Sequence, residues 1–313
     1  MTDKRKPADT DAKKFLEFAF QESFAADYSN ARKERKFKEL TKHSSNLFLR
    51  GGDIISGKPQ ILGTHEPVIT SLINFCAHSG YADFLLDIGA NIGLISCQCG
   101  NNFDQVHMFE PNPYCCKILE VNCVIALNDT QYQIHNYGLG EENTNAILTV
   151  PRRNWGGAFV NDGFNAYDEQ VLARKDEFES MEDANYFPVK IEIRNTAEEL
   201  TKLFVQLAKK NLGRGVIKID VEGYEATVLK GIAEALPAAA KAVIVFESWD
   251  SNFDMARVLC QFRGRAAAYK LVRELPLARW GRGLKLLLNP NIRYRLARVE
   301  DEDWRGDLIL QID

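Results

Sequence analysis

Four carboxylates stand where a short apolar run stops. Asp87 follows Phe84-Leu85-Leu86, Glu110 follows Val106-His107-Met108-Phe109, Asp220 follows Val216-Ile217-Lys218-Ile219, and Glu247 follows Ala242-Val243-Ile244-Val245-Phe246. Such runs, bounded by turn residues, read as buried strands, so each acid sits at a strand end. After Asp87 the chain reads Ile88-Gly89-Ala90-Asn91-Ile92-Gly93, and Leu94-Ile95-Ser96 begins a helix. A strand, a glycine loop and a helix N-terminus in that order aim backbone N–H groups at a ligand and let it approach closely. The pattern Asp-x-Gly-x-Asn-x-Gly departs from the Gly-x-Gly-x-x-Gly of dinucleotide folds. An acid ahead of the loop also suits a cationic, amine-bearing ligand better than a diphosphate. Glu110 lies about twenty residues past that loop, the place of an acid that accepts hydrogen bonds from a ribose diol.

The elements that must position these acids follow from periodicity. Residues 131–137 read as a third strand leading into Gly138-Leu139-Gly140, so several strand ends converge on one sheet edge, where open α/β sheets bind ligands. Helices are expected over 68–78, from 114 (Cys116, Leu119, Cys123), over 196–209, after Glu225 (Val228, Leu229, Ile232) and over 253–262, with a last strand at 307–312. Pro67 suits a first helical turn and Thr64 its cap, and Thr196 with Glu199 fits a capping box. Leu47 to Arg50 and Ile54-Ile55 read as a hairpin or short strands. Trp249 and Asp250 follow Glu247 at the same edge.

DIGANIG, FEPNP and KIDVEGYEATVLKG, in this order, resemble the FkbM-type S-adenosylmethionine-dependent methyltransferases, over roughly residues 63–247. The sulfonium and ammonium of that cofactor match the acid at Asp87. The resemblance implies an α/β, Rossmann-like class I methyltransferase fold, a seven-stranded, mostly parallel sheet with helices on both faces and an antiparallel last strand. Residues 1–62 would form an N-terminal extension, disordered to about residue 12 and then helical, and 63–313 the methyltransferase domain, with an insertion at about 141–193 between strands 3 and 4. Gly89, Asn91 and Gly93 would lie under the methionine moiety with Asp87 close by, Glu110 would hold the ribose, and Asn136 or the backbone near Tyr137 would contact adenine. The family has a similar glutamate before the helix at 68–78, which makes Glu66 a cofactor-side or substrate-side residue; His65 reads as structural. Among the strand-end acids, Asp220 is the expected general base, with Glu222 and Glu247 beside it. Asp220 and Glu247 can instead hold a hard divalent cation such as magnesium, and Asp220 can also be a plain helix cap.

The insertion carries Arg152, Arg153 and Trp155, an aromatic platform beside two donors that suits a sugar ring, and an acidic run at 168–183 read as a lid or linker. The expected reaction is O-methylation of a saccharide or glycosylated acceptor, the carbohydrate part coming from the resemblance. A polyketide or other natural product as acceptor, and a non-catalytic S-adenosylmethionine-binding protein, stay open.

The 313 residues carry a net charge of −4, which gives no case for nucleic-acid binding, and 45% are hydrophobic, enough for a full core. There is no apolar run of membrane-spanning length, and the charged N-terminus has no apolar stretch. The seven scattered cysteines read as small buried hydrophobes in a cytoplasmic protein. The basic residues between 263 and 298 read as solvated edges or as a contact to an anionic, lipid-linked acceptor at a membrane surface. A homodimer is the base-rate assembly, helped by the aromatic face of 15–24.

Overall fold

The computed structural model describes residues 28–127, 132–162, 182, 184–248, 253–274, 293–299 and 306–313. The readings of 15–24, of 168–183 apart from residue 182, of Trp249 and Asp250, and of the basic residues in 275–292 fall outside them. The chain divides at Lys42 into two units. In the smaller, the described element is helix α1 (Tyr28–Leu40), where Thr41 Oγ1 donates to Phe37 O at 2.8 Å.

The larger unit, residues 43–313, is built on one sheet. Its strands in chain order are β1 (Phe84–Ile88), β2 (Gln105–Phe109), β3 (Tyr132–His135), β8 (Arg214–Ile219), β9 (Lys241–Ser248), β10 (Ala266–Glu274), β11 (Arg293–Arg298) and β12 (Gly306–Ile312). Across the sheet the order is β11-β10-β12-β9-β8-β1-β2-β3. The five strands from β3 to β9 are parallel, and β12 runs antiparallel between β9 and β10. These are the seven expected strands. An eighth, β11, pairs antiparallel with β10 and closes the edge with residues of the basic stretch.

Helices cover both faces: α3 (Pro67–His78), α4 (Leu94–Cys99) and α5 (Pro113–Ala126) on one, and α6 (Thr196–Lys209), α7 (Glu225–Ala235) and α8 (Met255–Gln261) on the other. The strand residues sort accordingly. Leu86, Ile88, Ile217 and Ile219 pack under α6 and α7, while Leu85, Val216, Val243 and Val245 pack under α3 and α4. That alternation places Asp87 and Lys218 on the second face, and the β1–β8 register sets them side by side.

The segment read as an insertion is a second sheet. β4 (Gly138–Gly140), β5 (Thr144–Pro151), β6 (Phe159–Val160) and β7 (Tyr186–Asn195) form it in the order β4-β7-β5-β6. Val189, Ile191 and Ile193 of β7 point into a small core with Leu148, Val150 and Val160, and Lys190 and Glu192 point out. Period-two alternation of this kind is a half-buried strand.

Local chemistry differed from expectation at three further places. Ile54–Leu62 is a helix, α2, and no strand: Asp53 caps it by accepting from Ile55 N, and Gly63 ends it in the left-handed conformation. The cap of α3 is Glu66, at φ 41°, while Thr64 Oγ1 turns away to Gln98 Oε1 at 2.8 Å. The cap of α6 is Asn195, which accepts from Glu198 N at 2.9 Å. Thr196 Oγ1 instead donates to Gly140 O at 2.9 Å and ties the start of α6 to β4 of the second sheet.

The contact between α6 and α7 allows a test. A Cβ on Gly231 of α7 would collide with Thr196, whereas Gly57 of α2 has open space around it. Helix propensity alone favours alanine over glycine by about 1 kcal/mol at both. Gly57→Ala should therefore raise the urea midpoint slightly, and Gly231→Ala should lower stability by about 1–3 kcal/mol through overpacking.

Candidate functional site

The strand ends β1, β2, β8 and β9 meet the second sheet across a cleft with two chambers. Gly89, Asn91, Gly156, Asp220 and Glu222 belong to both chambers. The apolar chamber runs between Glu110 and Val221, just past strand ends of the main sheet, and Leu139, Leu148, Phe159 and Ile191 of the second. The polar chamber is bounded by His65, Glu66, Asp87, Lys218 and Glu247.

The glycine loop is fixed from both sides. Gly89 N and Ala90 N donate to Phe109 O at 2.9 and 3.0 Å, and Asp220 N donates to Ile88 O at 2.9 Å. Gly89 has φ 85°, and a Cβ there would collide with the carbonyl of Asp220. Only glycine satisfies both constraints. Gly93, at φ 83°, meets Leu119 in the same way. Asn91 takes the left-handed conformation at φ 50°, which asparagine tolerates.

Glu110 ties the loops together. Its Oε2 accepts from Asn91 N and its Oε1 from Asn112 N, both at 2.7 Å. Burial pushes its pKa up to about 7, against the pull of those two N–H groups and with a further push from Asp87 and Asp220.

Asp87 is fully buried. Oδ2 accepts from Ser96 Oγ at 2.6 Å, and Oδ1 has no hydrogen-bond partner, with Lys218 Nζ at 3.9 Å. Burial raises its pKa, opposed chiefly by Lys218. Lys218 itself donates to Asp220 Oδ2 at 3.0 Å. Burial disfavours its ammonium, yet Asp220, Asp87 and Glu66 outweigh burial and hold its pKa above the ordinary lysine range. Glu66 is raised by burial, which outweighs Lys218. Burial and Lys218 push His65 down to about 4, so it is neutral at pH 7. Glu222 is buried at φ 47°.

The acids expected at one edge, Asp87, Glu110, Asp220, Glu222 and Glu247, do come together there, with Glu66, Gly89, Asn91 and Trp155. Asp220 is no helix cap: Tyr224 occupies that position of α7. Three expected site residues stand apart. Asn136 donates its amide to Glu110 O at 2.9 Å and lines a separate recess with His135 and Tyr137. Arg152 and Arg153 are exposed and outside the cleft, Arg152 lying over Phe187 at 5.4 Å. The face of Trp155 is covered by Arg50, 4.3 Å from the ring centroid, and its backbone N donates to Asp53 Oδ2 at 3.2 Å. The Trp155 platform is thus not paired with the arginines expected beside it.

The residue that sequence reading missed is Lys218. A lysine inside the run Val216 to Ile219 was the available signal, since a charge on a buried strand needs a partner. Its ammonium also bears on magnesium. It lies 3.0 Å from Asp220 and 3.9 Å from Asp87, and among the described residues no three His, Cys, Asp or Glu side chains form a cluster able to hold a metal. This donor set does not fit a hard divalent ion. All seven cysteines are free thiols, six of them buried. Among the described residues no helix is long and apolar enough to cross a membrane.

Sequence comparison points to one class of relatives. Methyltransferase sdnD of Sordaria araneosa is 29% identical over 178 residues, 54% of this chain and 67% of that protein. Methyltransferase 1 of Beauveria bassiana (strain ARSEF 2860) is 26% identical over 198 residues, 61% of this chain and 70% of that protein. An O-methyltransferase from Bacillus cereus, solved with S-adenosylhomocysteine, covers 93% of this chain and 94% of its own at 9% identity and a TM-score of 0.39, too slight a likeness to carry weight. The methyltransferase FkbM domain family matches residues 87–271, from the acid that ends β1 into β10. That match takes in the glycine loop, Glu110, the second sheet and the Lys218–Asp220 pair, and the chain belongs to the FkbM family of S-adenosylmethionine-dependent methyltransferases.

Proposed function

We propose that the protein methylates a hydroxyl oxygen of a small hydroxylated acceptor, a saccharide or glycosylated product. The observation that carries this reading is the Asp220 carboxylate, which borders both chambers and is bonded to a buried ammonium. It can meet a cofactor on one side and an acceptor on the other.

The cleft fits S-adenosylmethionine. Asp87 Oδ1 and Asn91 Oδ1 are buried acceptors without a hydrogen-bond partner, suited to an ammonium. Glu110, immobilised by two backbone N–H groups, presents remaining lone pairs suited to a ribose diol. Leu139, Val221 and Phe159 offer apolar walls to a flat base. Asn136 has no part in this assignment, because its amide is bonded to the β2–α5 turn.

Bound there, the cofactor supplies a methyl group already activated on a sulfonium. The protein's share is alignment and proton removal. Asp220, paired with the Lys218 ammonium at 3.0 Å, accepts the hydroxyl proton. Neutral His65, Glu66, Glu222 and Glu247 surround the same space with acceptors and donors suited to a polyhydroxylated ring. A second reading, a less polar natural product, is favoured by Trp155, Phe159 and Tyr224 along the apolar chamber. Mass spectrometry after incubation with the cofactor and both acceptor classes decides between them. One added methyl on a saccharide hydroxyl supports the first reading, while transfer to amines alone would sink both.

Asp220→Asn should leave cofactor affinity within about threefold and reduce methyl transfer by at least about 10²-fold, read as calorimetric binding against turnover. Glu110 gives a pH prediction. A raised pKa means a proton must leave before the carboxylate can accept two hydroxyl donors. Cofactor affinity should therefore fall by up to about tenfold per pH unit below pH 7 and level off above it. In Glu110→Gln that slope should vanish, and a slope that survives would assign it to another group.

A further inference from the structure

We infer that the ammonium of Lys218 does the work of a divalent cation in the polar chamber, so that the chain carries its own counter-charge and takes no divalent metal there. This rests on the proposed function only for the role of Asp220.

The placement carries the inference. Lys218 lies on β8 in register with Asp87 of β1, two residues before Asp220. Asp87 approaches from β1, Asp220 from the end of β8, and Glu66 from the cap that precedes α3. Neutral His65 and the acids Glu247 and Asp307, from the paired ends of β9 and β12, complete the surroundings. Carboxylates from separate elements facing one point are how proteins commonly hold magnesium or calcium, with oxygens about 2.0–2.6 Å from the ion. Here the point is filled by a nitrogen, 3.0 Å from Asp220 Oδ2 and 3.9 Å from Asp87 Oδ1, distances of an ion pair. The lysine is buried, so its charge is screened little by water. It balances part of the acid excess and holds the Asp220 carboxylate in one orientation. Lys218 is thus a positioning residue for the expected base.

Manganese(II) is the probe, because electron paramagnetic resonance reads its binding without any acceptor. The answer therefore does not depend on whether hydroxyl methylation is correct. Chelator-treated wild-type protein should show no bound manganese, and its affinity for S-adenosylmethionine should be the same with and without the ion. Lys218→Ala empties a space among Asp87, Asp220 and Glu66. If its circular dichroism is native, it should bind one manganese at least about tenfold more tightly than wild type. It should also lose cofactor affinity in chelator and regain it with the metal, which a purely structural lysine would not produce. Adding Asp220→Asn to that variant should remove the new site. Stoichiometric manganese on the wild type, lost in Asp220→Asn, would overturn the inference. So would a folded Lys218→Ala with no gain in metal binding. Should Lys218→Ala not fold, the wild-type titration decides alone: bound manganese overturns the inference, and its absence upholds it.

Discussion

A lysine on a central strand of a parallel sheet has to find negative charge, because nothing else in that interior can solvate it. Lys218 finds it in Asp87 and Asp220, and the whole cleft edge is arranged around that need. The β1–β8 register cannot slip by one residue without turning Lys218 into the layer of Ile217 and Ile219 under α6 and α7. The same register brings Gly89 against the carbonyl of Asp220, where no side chain fits. The ion pair thus fixes which residues face the ligand, and the glycine is a consequence of the strands' closeness.

Much of this edge was legible before the fold was known. Short apolar runs ending in acids have one physical reading, and Asp87, Glu110, Asp220 and Glu247 all lie at the ends of adjacent strands. Less legible was anything set by partners far along the chain. Residues 186–195 alternate as a strand should, but their hydrogen-bond partners begin at Gly138 and Thr144, and the long interval between made the stretch read as an insertion. Asn195 takes the cap expected of Thr196, whose hydroxyl is drawn to Gly140 by the pairing of β4 with β7. Ile54-Ile55 suggested a strand because β-branched residues favour one, while Asp53, Gly63 and the contact of Asp53 with Trp155 decided for helix. Lys218 was passed over as the polar residue in an apolar run, which is the position where a charge most needs explanation.

The protonation of the edge shows how structure leads to function. Asp87, Glu110 and Glu66 are all raised by burial. For Glu110 the sign is definite. Its folded pKa, about 7, exceeds the ordinary glutamate value of 4.5. The proton-bound form therefore adds stability that is fully present below the unfolded value and is lost as pH rises through about 7. Without ligand, an ionised Glu110 lies in a poorly solvated place, and the cost is met in full only above about pH 7. A ligand that brings hydroxyl donors to Glu110 and positive charge to Asp87 relieves that cost. Lys218 can relieve only part of it, being one ammonium among several acids. On the proposed assignment, a cationic methyl donor supplies positive charge that a neutral nucleoside of the same shape lacks. In the proposed reaction a sulfonium charge disappears as the Asp220 carboxylate takes up a proton, so opposite charges vanish together at one edge of the sheet.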